Sequence, residues 1–555
     1  MKLLRVKILG ENFRSLTANV DYVFNDTVYE NKLSTKVFAG LNGSGKSNFL
    51  ELLAEIFYYI ERSQLKNTER THFEDINTGF EIKYILPKTK KDFYLVEFDK
   101  NANDILNLDK NFDNDVYVKI TKNLVGVLEL SFSLHIEKNF SVVRNNYSHF
   151  LPTRIIAYTS GQNELLSNPF VRLRYHYFTR MVNSETTFCN KRLYFLDQES
   201  NYSIFIANML LGREVPLPYI KKIFSIVDLH SFRITINYDH SSKEAQKLLA
   251  QKLPLIEPLK ACATSWIDHK ESKCLILDFV IDDDNIAIQE AFKFYYDKSA
   301  FQLFQTFYEL QSLNVLIEKT QTRKFVESAS KDLNISDELS KPDPSDLVFR
   351  IERIKIKKKS KDDQKIEIID YKSLSDGEHQ LNEVIGSVMM MEEEGSLFLM
   401  DEPDTHFNPK WRAKMVTMLN KVSGNEYDEK GNPENIRKHE IIMTTHSPFI
   451  ISDNYKEDVY KFIRNEGKLN FEKLVYETYG ASISFILETI FNRDVTISDY
   501  SNTELNDLKE SIKNLDDVKR VKKELLSFGE SIEKFDAYSY LMAKEKELKS
   551  GQNAN

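Results

Sequence analysis

Residues 40–47 read Gly40-Leu41-Asn42-Gly43-Ser44-Gly45-Lys46-Ser47, a full match to G-x-x-x-x-G-K-[ST], and Asn48 follows. The glycines let backbone N–H groups turn inward around phosphates. A helix starting at this point adds partial positive charge. Lys46 supplies a point charge for the β and γ phosphates of a nucleotide, and the Ser47 hydroxyl can ligate magnesium. A second constellation lies at 396–402, where the apolar run Leu397-Phe398-Leu399-Met400 closes on Asp401 and Glu402. Such acids sit at the carboxyl edge of a sheet, where ligands bind in α/β folds. Asp401 then suits magnesium, and Glu402 suits the general base that polarises an attacking water.

Three further groups have chemistry but shorter signatures. Ser375 and Gly377, in Leu374-Ser375-Asp376-Gly377-Glu378, stand just before a predicted helix. A serine there either caps the helix or faces a phosphate. His446, in 443–448, follows a predicted strand and suits a γ-phosphate contact. Gln162 follows a short strand in a polar loop and suits magnesium sensing, and its neighbours Asn163 and Glu164 are alternatives for that role. A basic run, Arg353, Lys355, Lys357, Lys358, Lys359 and Lys361, alternates along a predicted hairpin. It reads as a DNA-facing patch with strong salt dependence, or as a solvated hairpin tip balanced by Asp362 and Asp363. Asp75 with Glu81 and Lys83 echoes a nuclease pattern at too short a spacing.

The elements that must position these groups follow from periodicity. Strands are predicted at 3–9 and 35–38, a helix at 46–65, and strands at 80–86, 93–98, 116–120, 125–136 and 154–158. The stretch 165–345 looks helical and aromatic, with Phe292, Phe294, Tyr295, Phe301, Phe304, Phe307 and Tyr308 read as core. A hairpin is expected at 347–359 and 365–370, then helix 378–392, strand 397–400, helix 410–422 and strand 439–444, with 426–438 a loop insertion. The charged stretch 500–550 reads as helical.

Composition narrows the classes. Lysine plus arginine number 75 and aspartate plus glutamate 84, a net charge of -9, so any polyanion contact must be local. Hydrophobic residues make up 41%, enough for a packed core. Cys189, Cys262 and Cys274 share no CxxC spacing, which argues against a disulfide scaffold or zinc module and fits a reducing cytoplasm. No apolar run reaches membrane-spanning length. The opening MKLLRVKIL reads as a strand, not a signal peptide.

The segment at 374–378 resembles the LSGGQ signature of ABC-type ATPases, with Asp376 and Glu378 where Gly and Gln are usual. His446 resembles the switch histidine of those heads, 403–409 their D-loop, and Gln162 their Q-loop glutamine. The order of elements matches that family, and Asn12-Phe13-Arg14-Ser15-Leu16 resembles SMC-like, RecF-like and OLD-like heads. The resemblance implies an α/β ABC-type (P-loop) ATPase head with a mixed β-sheet, ATP and Mg2+ as cofactors, and two copies clamping nucleotide so that the signature of one contacts the γ-phosphate held by the other. The expected layout is an N-terminal head lobe at 1–165, a helical insertion at 166–345, a C-terminal head lobe at 346–455, and a helical partner-docking region at 456–555.

The insertion is too short for an SMC coiled coil, and no nuclease constellation follows His446. A head of this kind resembles PtuA, the ATPase of Septu-type anti-phage systems, including copies that accompany retrons. That resemblance implies a homo-oligomer that regulates a separately encoded HNH nuclease, with a reverse transcriptase and its msDNA as further partners in a retron setting. The alternative is a RecF-like ATP-dependent DNA repair clamp without a nuclease.

Overall fold

The computed structural model describes residues 1–25, 32–64, 78–89, 113–134, 140–144, 147–161, 164–183, 191–238, 243–281, 286–329, 335–339, 342–360, 365–465 and 468–552. Gln162, Asn163, Asp75, Cys189, Lys361, Asp362, Asp363 and the strand expected at 93–98 lie outside them. The chain divides into one unit of Met1–Ile450 with Glu457–Leu474, and a second of Ile451–Lys456 with Val475–Asn555.

The first unit is built on a seven-stranded sheet. Its order is Lys468–Lys473, Val459–Asn465, Ser34–Ala39, Glu440–Thr444, Leu397–Asp401, Ile155–Thr159, Leu193–Phe195. Every neighbouring pair is parallel except the first, which is an antiparallel hairpin. Leu397–Asp401 and Glu440–Thr444 are buried at every position, as expected for parallel strands covered on both faces. Lys36 and Glu440 are paired inside this sheet at 2.8 Å with no exposure of either side chain. The mostly parallel sheet with flanking helices is an α/β architecture.

Register aligns the strand ends that matter. Asp401 lies opposite Thr444 on one side and Thr159 on the other, and Thr444 lies opposite Phe38. The phosphate-loop helix, Lys46–Ser63, leaves from the end of Ser34–Ala39 and is buried nearly all round. Its Phe49, Leu53, Ile56 and Ile60 share one core cluster with Leu397, Leu399 and Ile442 of the parallel sheet. The same cluster takes in Leu3, Val6, Ile82, Tyr84 and Val118 of a six-stranded antiparallel sheet. The helix is thus held between two sheets, which explains why it carries apolar residues on every side. Its two buried acids are matched: Glu51 by Arg14 and Glu55 by Arg172.

The 166–345 stretch departs from the helical expectation. It contains helices, among them Asn168–Asn183, Gln198–Leu211 and Ala300–Gln311, but it also supplies the strands Ile226–Asn237, Ser265–His269 and Cys274–Val280. These join Phe349–Lys359 and Ile366–Asp370 in a five-stranded antiparallel sheet. Cys274–Val280 alternates buried and exposed positions, the period-two pattern of a half-buried strand. Phe292, Phe301, Phe304, Phe307 and Tyr308 are buried, whereas Phe294 and Tyr295 are exposed.

The 456–555 stretch also departs from expectation at its start, because Val459–Asn465 and Lys468–Lys473 belong to the parallel sheet of the first unit. The 426–438 segment carries a small hairpin of Gly424–Tyr427 with Pro433–Ile436. The second unit is helical, with Ile483–Phe491, Asp499–Glu510, Leu515–Glu524 and Ile532–Gln552. It has its own small core of Leu505, Ile512, Val518, Val521, Leu525, Ala537 and Leu541. Among the described residues no helix is long and apolar enough to cross a membrane.

Candidate functional site

The phosphate loop is set by backbone geometry. Gly45 is the residue before the helix, with φ +90°, and it offers no side-chain cap to the first turn. A Cβ there would meet Leu469 Cδ1 at 2.2 Å and Ser15 Oγ at 2.9 Å. The first-turn N–H groups therefore face the loop with no side-chain acceptor from this residue. Asn48 Nδ2 donates to Ser15 Oγ at 2.6 Å, which ties the helix start to the 12–16 turn. Lys46 is buried, and its Nζ donates to the loop's own carbonyls at Gly40 (3.0 Å) and Leu41 (3.1 Å). Burial lowers its pKa from the ordinary lysine value, opposed by the negative charges of Glu402 and Asp401. The Ser44 hydroxyl is buried and has no hydrogen-bond partner among the described residues. A loop with an orphaned hydroxyl, a lysine resting on carbonyls and an uncapped helix start fits a polyphosphate.

Ser47 and Asp401, distant in sequence, meet here. Ser47 Oγ donates to Asp401 Oδ1 at 2.8 Å. A hydroxyl and a carboxylate this close are hard oxygen donors suited to one magnesium ion. Asp401 Oδ1 also accepts from Thr444 Oγ1 at 2.6 Å, and that same Thr444 oxygen accepts the backbone N–H of Glu402 at 2.9 Å. Glu402 needs such an anchor because its φ is +49°, an uncommon backbone region for a residue with a Cβ. The turn aims its half-exposed carboxylate at His446, whose Nε2 lies 3.5 Å from Glu402 Oε1. Burial and then the Lys46 charge lower the His446 pKa, outweighing Glu402 and Asp401.

The sequence reading assigned no role to Thr444 or Thr445. The signal was present in principle, since Thr444 ends a buried strand next to the acidic one and Thr445 follows it. Thr445 Oγ1 donates to Asp404 Oδ1 at 2.9 Å, and burial raises the Asp404 pKa. Arg412 donates to the carbonyls of Asp404 (3.1 Å) and Thr405 (2.8 Å). The 403–409 loop is thereby fixed from two sides, and Asn408 caps the short helix that follows. Ser160 N donates to Asp401 O at 3.1 Å and Ser160 Oγ lies 3.0 Å from Thr405 Oγ1, so the chain leading to Gln162 starts at the same sheet edge.

Ser375 is the N-cap of the helix Asp376–Met390, in a reciprocal capping box with Glu378. Its N and Oγ both donate to Glu378 Oε2, at 2.9 and 3.0 Å. Ser375 and Asp376 are exposed. Gly377 is buried against the 403–409 loop: a Cβ there would meet His406 O at 2.7 Å. Gln380, one turn on, accepts from His406 N at 2.8 Å and donates to Tyr158 OH at 3.1 Å. Gly377 thus serves close approach of helix and loop within the chain.

The basic strand requires a correction. Arg353 has φ +55°, and two residues of Phe349–Lys359 oppose one of Ile226–Asn237 at that point. This β-bulge inverts the alternation. Phe349 and Ile351 are buried before it, Ile354 and Ile356 after it. Arg353, Lys355 and Lys359 are exposed, with Lys357 on the same side and half-buried. Lys358 takes the inner side and is not part of the exposed row: its Nζ donates to Glu378 Oε1 at 2.6 Å. The nuclease-like Glu81 pairs with Arg5 and Lys119. Among the described residues no cluster of three or more His, Cys, Asp or Glu could hold a metal ion.

Comparison with known proteins agrees at a coarse level. Residues 277–452 match the family described as "AAA domain, putative AbiEii toxin, Type IV TA system", a stretch that includes Ser375, Asp401, Glu402 and His446 but not the phosphate loop. Protein ea59 of Escherichia phage lambda is 26% identical over 107 residues, 19% of this chain and 18% of that protein's length. The SMC head domain from Thermotoga maritima aligns at TM-score 0.30 and 10% identity, over 86% of this chain and 100% of that one. The structure entitled recombination mediator protein RecF-ATP aligns at TM-score 0.29 and 11% identity, over 85% and 97%. Likeness at that level carries no information about substrate or partner. The partial family match covers the acidic strand and His446, and the site's own geometry adds a loop and carboxylates suited to a nucleotide and its metal.

Proposed function

We propose that the chain binds and hydrolyses ATP as an SMC-like ATPase, and that two copies pair head to head around the nucleotide. The observation that carries this reading is the Ser47–Asp401 contact at 2.8 Å beside Glu402 and His446. Magnesium, when bound, supplies charge neutralisation at the phosphates, and Ser47 and Asp401 are the residues that would hold it, with Gln162 beside them in the family pattern. Lys46 leaves its loop carbonyls for the β and γ phosphates. Glu402 accepts a proton from water as the water oxygen bonds to the γ-phosphorus, and the bond to the β–γ bridging oxygen breaks. His446 can donate a ring N–H hydrogen bond to the γ-phosphate. Ser375 and Gly377 belong to the helix start that meets the nucleotide of the other copy.

In the wider reading, this cycle restrains or licenses a separately encoded HNH nuclease in anti-phage defence, of the Septu type, with a reverse transcriptase and msDNA where a retron is present. The wider reading draws on the partial match to a family described as a putative AbiEii toxin of a type IV TA system. The exposed Arg353, Lys355 and Lys359 favour a second reading, a RecF-like clamp that contacts DNA without a nuclease.

Glu402→Gln tests the core of the reading. It is expected to keep ATP binding, to stall phosphate release by at least about 100-fold as loss of a general base does, and to increase the paired fraction in light scattering. Release at the parental rate would remove Glu402 from the mechanism. Co-purification with the products of adjacent genes separates the two wider readings: an HNH subunit that comes along supports the first, and DNA-dependent ATPase with no bound subunit supports the second.

A further inference from the structure

The signature helix presents a physical difficulty. Its first turn carries two acids, Asp376 and Glu378. Carboxylates at a helix N-terminus stabilise the helix, but they oppose a second anion at the same place. In the reading above, that second anion is the γ-phosphate held by another copy. Ser375 is also occupied, since its hydroxyl donates to Glu378 Oε2 at 3.0 Å. A bare glutamate would hold that proton strongly and add a negative charge beside the phosphate.

Lys358 meets both difficulties. Its Nζ sits 2.6 Å from Glu378 Oε1, the oxygen that Ser375 does not use. Both side chains are mostly buried, with 19% and 16% exposure, so the pair is little screened by solvent. The lysine is there because of the bulge. Without the left-handed Arg353 the strand would keep its first parity: residue 358 would point outward on the side of Arg350 and Glu352, and Lys355, Lys357 and Lys359 would turn inward. The strand is also pinned on both sides, with Lys358 opposite Ile226 on one neighbour and Glu367 on the other. Glu378 stays in its charged form despite burial, because Lys358 and the Ser375 N–H hold its carboxyl below the ordinary range.

We propose that Lys358 is a positioning residue of the signature: it neutralises Glu378 so that the acidic helix start can present Ser375 to the terminal phosphate of a nucleotide held by a second copy of the chain. The inference rests on the head-to-head reading. It divides the basic strand into two functions, with Lys358 serving the nucleotide site and the exposed row left for any polyanion.

The test uses the full chain, with steady-state ATP hydrolysis over a range of ATP concentrations and light scattering with ATP. Lys358→Ala is expected to raise the apparent KM about tenfold, the scale of one charge-assisted contact, and to lower the ATP-dependent paired fraction. Lys358→Gln keeps N–H donors and most of the side chain's bulk without the charge, so it guards against a folding failure and should show the same rise. Lys358→Arg should stay within about threefold of the parent, since it restores the charge. Glu378→Gln added to Lys358→Ala should recover most of the loss, a result that a merely structural lysine would not give. Parental KM in both Lys358→Ala and Lys358→Gln, or no recovery in the double variant, would overturn the proposal. Ser375→Arg separates the two levels. If it abolishes turnover while the Lys358 variants behave as the parent, only this proposal fails; if it leaves turnover intact, the head-to-head reading fails with it.

Discussion

Thr444→Val is the sharpest probe of how the acidic strand is held. The substitution keeps the shape and removes one hydroxyl, so no cavity opens. Two hydrogen bonds go with it: the 2.6 Å donation to Asp401 Oδ1 and the 2.9 Å acceptance from Glu402 N. The position has no solvent exposure, so water cannot replace either. A bond to a charged group contributes about 1.5–3 kcal/mol, and an orphaned buried N–H costs about 1–3 kcal/mol. The two share one atom and are not independent, so a loss of about 2–4 kcal/mol is expected. The effect on turnover should be larger than the effect on binding. Ser47 still donates to Asp401, so ATP affinity should change only a few-fold. Glu402 loses the anchor of its φ +49° backbone, and a displacement of about 1 Å costs on the order of 100-fold in rate. Denaturant unfolding, nucleotide titration and phosphate release under saturating ATP measure the three quantities separately. Reduced stability with parental turnover would show that Thr444 does not position Glu402. Parental values in all three would refute the assignment of these hydrogen bonds altogether.

Gly377→Ala drives a Cβ to 2.7 Å from His406 O, a backbone atom that cannot swing away, so a loss of about 1–3 kcal/mol and slower turnover are expected; an unchanged unfolding midpoint would mean that the helix and loop do not meet as described. His446 should titrate below the ordinary value of about 6.5, since burial and Lys46 lower its pKa while Glu402 raises it. Glu402→Gln removes a raising influence, so the imidazole midpoint followed by NMR should move further down; an upward movement would contradict the contact.

The phosphate loop, the acidic strand and His446 were legible because each is a local pattern tied to a strand end, and strand ends share one edge of a parallel sheet. Thr444 was not, since its value comes from lying opposite Asp401, and register between strands distant in sequence is not written in either one. Lys358 was misjudged for a different reason. It was grouped with its basic neighbours although its parity differs from that of Lys355, Lys357 and Lys359, and the bulge at Arg353, which sets which parity faces inward, is not visible in the composition of the run. Of the three strands in 166–345, Ser265–His269 is an exposed edge strand with no buried positions to reveal its period, whereas Cys274–Val280 does alternate and was passed over beside the aromatic helices. The strands at 459–473 were lost to a boundary drawn at the histidine motif, although they extend the parallel sheet beyond the phosphate-loop strand.

The pairing of Ser34–Ala39 with Glu440–Thr444 has a consequence for biosynthesis. The two are separated by 406 residues of chain. At about 5–20 residues per second, a ribosome needs roughly 20–80 s to deliver the second strand after the first. During that interval Lys36 has no Glu440 to meet, and an unpaired ammonium cannot be buried without a penalty of several kcal/mol. The strand that leads into the phosphate loop is thus kept from sealing prematurely into a false core. The charge that locks the finished sheet also delays its closure until Glu440 has been made.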